Sequence, residues 1–315
     1  MKPVVAEGPT SAGEVRPATR RLLVAFALLT FLAVTQLLLL ADVADHYWAW
    51  EIRTEMTAAF LGAAYAAGFL LAVVSLRQHD WSLIRVPLMT VTAFTWLTAI
   101  ATVVHLHKLL LVTGGPFARA VAWVWLAVYL VIPLACLAVV ARQELRRVGP
   151  DVVVRPMPAW LTALLGAQGV LLFTAGALLF GSGLTVHHDE PRAAAAFWPW
   201  ALMPLSAQVI GAWLMALGVA AALAIRQRDL SRLLVSAVTY TTFGICQFVA
   251  VFWHWSQFSR RDRWLEVYLV MLAVIVLTGA YGWWAARRAA GDPDLATEGR
   301  PSATTTDRGR PDVAG

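Results

Sequence analysis

Residues 62–105 read GAAYAAGFLLAVVSLRQHDWSLIRVPLMTVTAFTWLTAIATVVH, and residues 211–254 read GAWLMALGVAAALAIRQRDLSRLLVSAVTYTTFGICQFVAVFWH. The two align without a gap at a constant offset of 149, with 14 identities in 44 positions. Each holds two long apolar runs parted by one short polar turn, Arg77-Gln78-His79-Asp80-Trp81-Ser82 in the first and Arg226-Gln227-Arg228-Asp229-Leu230-Ser231 in the second. A membrane-spanning helix needs ~20 predominantly apolar residues, so each stretch reads as a pair of such helices. The match continues on both sides. Tyr47-Trp48-Ala49-Trp50 answers Phe197-Trp198-Pro199-Trp200, and Trp125-Leu126-Ala127-Val128-Tyr129-Leu130-Val131 answers Trp264-Leu265-Glu266-Val267-Tyr268-Leu269-Val270.

Eight apolar runs follow from this frame: 22–41, 56–76, 85–105, 120–141, 159–181, 204–225, 232–253 and 264–285. The fold expected is an all-α integral membrane protein with eight transmembrane helices, arranged as two tandem four-helix repeats of parallel topology. The first repeat covers 20–148 and the second 158–288, joined by a Pro- and Gly-containing cytoplasmic linker at 149–157. An even number of helices returns the chain to the same side, so the repeats are related by an axis near the membrane normal. The tails, 1–19 and 289–315, are rich in Pro, Gly, Thr and charge and are expected to be disordered.

Composition agrees with a lipid-facing chain. Charged residues make up 14% of it and its mean hydropathy is +0.66, whereas soluble domains carry about 25% charged residues. The net charge of +6 is unevenly spread. With the N-terminus cytoplasmic, only Arg53, Lys108, Arg119, Arg192, Arg260, Arg261 and Arg263 fall outside, leaving 18 of the 25 cations inside. That bias is the positive-inside pattern and places both termini in the cytoplasm, with the cell membrane as the location. It also removes the reason to expect nucleic acid as a partner, leaving the lipid bilayer and a small ligand or ion.

Chemistry is harder to read. Cys136 and Cys246 lie inside predicted helices without metal-ligand spacing, so they read as packing residues. No phosphate-binding Gly loop, dinucleotide fingerprint, Gly-x-Ser-x-Gly elbow or His-Glu-x-x-His occurs. Nothing here marks a soluble catalytic domain. Of the fifteen tryptophans, Trp48, Trp50, Trp123, Trp125, Trp198, Trp200, Trp253, Trp255 and Trp264 fall near the outer boundary, as an interfacial aromatic belt would.

The pair His105 and His254 occupies one repeat position at the outer ends of two helices. Seven residues back, on nearly the same helical stripe, lie Thr98 and Gln247. His187 and His188 join them on the outer side, with His46, His107 and the acids Asp42, Asp45, Glu51, Glu55, Asp189 and Glu190 nearby. Imidazole with carboxylate suits a divalent transition metal. On a continuous helix His105 and His107 would point about 200° apart and could not chelate together. The loop 184–203 contains Asp189-Glu190-Pro191, a helix-start pattern expected to open a short interfacial helix.

Two tandem four-helix membrane bundles resemble, in architecture, the arrangement of the haem A synthase family. That resemblance implies haem held by paired histidines in each half. The family's Glu-x-x-His-Arg signature does not occur here, and each half supplies one repeat-matched histidine. The expectation is therefore a non-enzymatic membrane protein with an outward-facing site between the repeats, binding or passing a small ligand or metal ion at His105, His254, Thr98, Gln247, His187 and His188. The alternatives are a haem- or metal-dependent redox protein using one histidine from each repeat, and a membrane scaffold without ligand.

Overall fold

The computed structural model describes residues 13–146, 153, 155–185, 197–258 and 263–290. Among them the chain is helical, with eight helices long and apolar enough to cross a membrane. These are α1 (Pro17–Val34), α2 (Glu55–Leu76), α3 (Trp81–Val104), α4 (Pro116–Glu144), α5 (Ala159–Thr185), α6 (Pro204–Gln227), α7 (Leu234–Trp253) and α8 (Arg263–Ala290). Every expected apolar run overlaps one of them, though the first, 22–41, continues past the end of α1 into the turns that follow. Pro17, Pro116 and Pro204 open α1, α4 and α6, where a missing N–H costs nothing. His187, His188 and the helix start at Asp189 lie outside the described residues.

Helix α1 begins inside the 1–19 stretch expected to be disordered, and α8 runs past 288. Backbone pairing explains the first departure. Val15 N–H donates to His79 O at 2.8 Å and Trp81 N–H to Gly13 O at 2.8 Å, laying the lead-in to α1 across the turn between α2 and α3. The lead-in to α5 does the same across the turn between α6 and α7: Met157 N–H donates to Arg228 O at 3.0 Å and Leu230 N–H to Arg155 O at 2.9 Å. Each turn is capped by its aspartate. Asp80 Oδ1 accepts from Ser82 N–H at 2.8 Å, and Asp229 Oδ1 accepts from Ser231 N–H at 3.0 Å.

Helices consecutive in the chain pair up, α1 on α2, α3 on α4, α5 on α6 and α7 on α8. The pairs then assemble crosswise. Helix α2 packs along α7 and α3 along α6, while α2 and α3 scarcely touch. The largest buried cluster accordingly mixes residues from both halves of the sequence, including Phe60, Phe94, Ile210 and Phe243. Two glycines permit close approach. A Cβ at Gly211 would stand 2.6 Å from Gly176 O on α5, and one at Gly62 would stand 2.5 Å from Leu38 N. Leu38 belongs to a π turn, Thr35–Leu39, that carries α1 into the following loop.

The tryptophans divide into two groups. Trp123, Trp253 and Trp264 are exposed, as a belt residue would be, with Trp253 71% exposed. Trp48, Trp50, Trp125 and Trp200 are instead buried, Trp50 to 2%, which corrects the belt reading for these four. For Trp50 and Trp200 the indole N–H groups explain the difference. Trp50 Nε1 donates to Ser206 Oγ at 3.2 Å, and Trp200 Nε1 donates to Thr57 Oγ1 at 3.0 Å. Thr57 and Ser206 are themselves 149 residues apart, so each half sends an indole to the matching hydroxyl of the other. Removing one hydroxyl leaves a buried N–H unpaired, at about 1–3 kcal/mol. Thr57→Val and Ser206→Ala are each expected to lower the melting temperature of the detergent-purified protein by several degrees. Unchanged melting in the double variant would contradict a cross-half lock.

Candidate functional site

Helix α7 ends at His254, whose φ of −106° and ψ of 29° turn the chain into a 3-10 turn, Trp255–Gln257. Its backbone N–H still donates to Ala250 O at 3.1 Å, and Gln257 N–H donates to His254 O at 3.0 Å. The ring is therefore held against the helix end rather than projecting freely. Its Nδ1 lies 3.1 Å from Ala250 O. A carbonyl can only accept, so Nδ1 carries the proton and Nε2 presents a bare lone pair in the neutral ring. That Nε2 is buried without a hydrogen-bond partner.

The lone pair meets carboxylates from the other half of the sequence. Asp42 Oδ1, from the short 3-10 turn after α1, stands 3.5 Å from Nε2. Glu55, the first residue of α2, completes a group whose ligand atoms all lie within 4.8 Å of one another. Gln257 fixes the glutamate in place: its Nε2 donates to Glu55 Oε2, and its Oε1 accepts from Met56 N–H at 3.3 Å. An imidazole lone pair facing two carboxylates is relieved by positive charge between them, whether a proton on Nε2, which makes an ion pair with Asp42, or a metal ion. One nitrogen and two carboxylate oxygens suit Zn²⁺, Mn²⁺ or another first-row divalent ion, with remaining positions for water. The imidazole is 6% exposed whereas the Asp42 side chain is 72% exposed. The group is thus open on its carboxylate side.

His105 ends α3 with the same geometry, φ −108° and ψ 31°, followed by the 3-10 turn Leu106–Lys108. Its surroundings differ. At the offset of 149, Pro204 stands where Glu55 would and Lys108 where Gln257 would, so neither of these two groups has a counterpart, and the position answering Asp42 lies outside the described residues. The Gln208 side chain of α6 lies beside the ring instead. Burial is the main cause holding the imidazole below its ordinary value, and His107 and Lys108 push the same way. Because α3 stops at Val104, the His105 and His107 rings are not 200° apart as a continuous helix would require. They stack at 6.0 Å with 28° between planes.

The remaining expected residues have other work. Gln247 is fully buried, with its Nε2 donating to Phe60 O at 3.0 Å and its Oε1 accepting from Tyr268 Oη at 3.1 Å. Its amide ties α7 to α2 and α8. Thr98 is fully buried within α3. The described contacts of His105 and His254 run to different neighbours. In the sequence Asp42 and Glu55 are two of several acids on the outer side with nothing that joins them to one histidine, and nothing there marks Gln257. The departures at Pro204 and Lys108 are the signal that separates the two histidines. No protein family, curated protein or solved structure matches the chain, so the likeness to the haem A synthase arrangement rests on helix number and duplication alone.

The lowered His105 value has a testable sign. Above the ordinary value of 6.5 the ring is neutral in both the folded and unfolded chain and contributes nothing. Below it the unfolded chain takes up the proton first, so folding weakens as pH falls. Acidification from about pH 7.5 to 5.5 is expected to lower the melting temperature less in His105→Gln than in the parent. An equal loss in both would show that His105 titrates normally.

Proposed function

We propose that this chain is a multi-pass cell-membrane protein with both termini cytoplasmic, which binds a divalent transition-metal ion at an outward-facing site between its two halves and catalyses no reaction. The convergence of Asp42, Glu55 and the unpartnered Nε2 of His254 carries the reading. The eight apolar helices support the membrane setting, as do the exposed apolar side chains along their flanks, among them Leu28, Phe31, Val131, Leu134 and Val270. Soluble monomers rarely expose so much contiguous apolar surface. The positive-inside bias puts Arg77 and Arg226 on the cytoplasmic side and the Asp42–Glu55–His254 group on the other.

Binding is favoured over permeation by what lies beneath the site. Along α7, Gln247 is spent on Phe60 O and Tyr268, and Phe60 packs edge-on against Phe243 at 6.0 Å. These groups fill the path that an ion would need. A cation held here also bridges the loop after α1 and the start of α2 to the end of α7, so its binding energy adds to the crosswise packing of the halves.

Metal-stripped protein in detergent is expected to take up one equivalent of Zn²⁺ or Mn²⁺ by titration calorimetry. His254→Ala and Asp42→Asn should weaken uptake by about 100-fold or more, and Gln257→Ala by roughly 10-fold, the usual scale for a group that orients a ligand. His105→Ala should leave uptake unchanged. Equal affinity in the parent and His254→Ala, or a parent that binds neither ion, would remove the proposal.

A further inference from the structure

Helices α1 and α4 scarcely touch, and the space between them is an apolar slot with a volume of about 320 Å³. Its walls come from α1, α2, α3 and α4, joined by Trp213 of α6. Leu32, Phe117 and Val124 line it while being 49%, 52% and 48% exposed. The slot therefore opens sideways, on the apolar flank of the bundle. Along α1 its lining runs from Phe26 to Gln36, a rise of about 15 Å at ~1.5 Å per residue. That is half of the ~30 Å hydrocarbon core of a bilayer, the depth that the chains of one leaflet fill.

One polar group opens on this space. Gln36, in the π turn after α1, lines the slot at the end nearer Asp42 and is 8% exposed. Its side-chain amide makes no hydrogen bond with the described residues. It is not sealed in either, as the unpartnered Trp48 Nε1 and Trp213 Nε1 are. The amide thus keeps accessible surface, and the space it borders is the slot. Other polar side chains of the wall are taken. Thr30 Oγ1 donates to Phe26 O and Thr95 Oγ1 to Thr92 O, while Tyr65 Oη and Tyr129 Oη bond each other at 2.9 Å. Among the described residues, none that lines the slot is charged.

These features select one kind of occupant. A sideways opening admits molecules dissolved in the membrane, and uncharged apolar walls reject an ionic group. At one end an amide offers N–H donors to a neutral oxygen. We infer that the slot binds a single acyl chain of a membrane lipid, from the leaflet on the Asp42 side, with the ester carbonyl of the chain accepting from Gln36 Nε2. The inference rests on the membrane setting proposed above and not on the metal ion.

The test uses the full-length protein in CHAPS, a detergent without an alkyl chain, with bound lipid counted by native mass spectrometry. The probes are glycerol monododecanoate, an ester, and glycerol monododecyl ether, which has the same chain without a carbonyl. The parent is expected to bind one ester per chain, saturably and about 5-fold more tightly than the ether. Gln36→Leu, which keeps most of the side-chain volume, should erase that preference by weakening the ester alone. Val128→Phe, which puts a ring into the slot, should abolish binding of both while melting close to the parent. In the parent itself, affinity should rise from the octanoyl to the dodecanoyl ester and level off by the hexadecanoyl, once the slot is full. Equal binding of ester and ether by the parent, adducts that grow without saturating, or parental binding in Val128→Phe would overturn the inference. Recovery of the protein in the membrane fraction of cells scores the membrane setting separately, and Zn²⁺ uptake scores the metal site.

Discussion

An indole N–H buried in an apolar bundle gains from an acceptor, and in this protein two of them find one in the opposite half of the chain. Trp50 reaches Ser206 and Trp200 reaches Thr57. Water cannot serve as the substitute partner where the indoles are buried, so the loops carrying them are committed to crossing over the neighbouring half. The crosswise packing of α2 on α7 and α3 on α6 is the helical expression of the same commitment. From it follows the location of the acidic residues. The connection from α1 to α2, which carries Asp42 and ends at Glu55, is drawn over the end of α7 where His254 sits. The cluster owes its existence to that crossing.

Two helix ends with nearly the same backbone angles carry different chemistry. His105 and His254 both close their helices by turning into a 3-10 segment, and both rings are buried to the same degree. Among the described residues, only His254 faces carboxylates. At His105 a proline and a lysine stand in the places of Glu55 and Gln257. The shared geometry is thus a way of ending a helix, while the described neighbours of the two rings differ.

The eight helices were legible from apolar runs because lipid-compatible length leaves few other choices. Their ends were less so. Charged and small residues at the ends of α4 and α8 are tolerated by a helix but interrupt an apolar run, and the lead-in to α1 is held by backbone pairing that no side chain announces. The buried tryptophans were misplaced for a similar reason. An indole that anchors at an interface and one that donates to Ser206 have the same local sequence, and only the fold distinguishes Trp50 from Trp253. The cation group was half visible. His254 stood out through the repeat, but Asp42 and Glu55 are far from it in the chain, and their meeting depends on which helices pack together.

The π turn at Thr35–Leu39 gives the loop after α1 a phase that an ordinary helix would not. A π turn holds one more residue per hydrogen-bonded loop than an α turn, and each residue of an α-helix advances the chain by ~100° and ~1.5 Å. The turn also sits where the backbone of Leu38 leans on Gly62, with no room for a side chain between them. The bulge therefore acts as a spacer that sets the azimuth of Asp42 relative to the wall of the bundle. Loss of a single residue from it would let the helix tighten and shorten the tether, drawing the carboxylate off its heading toward His254 without altering any side chain of the group.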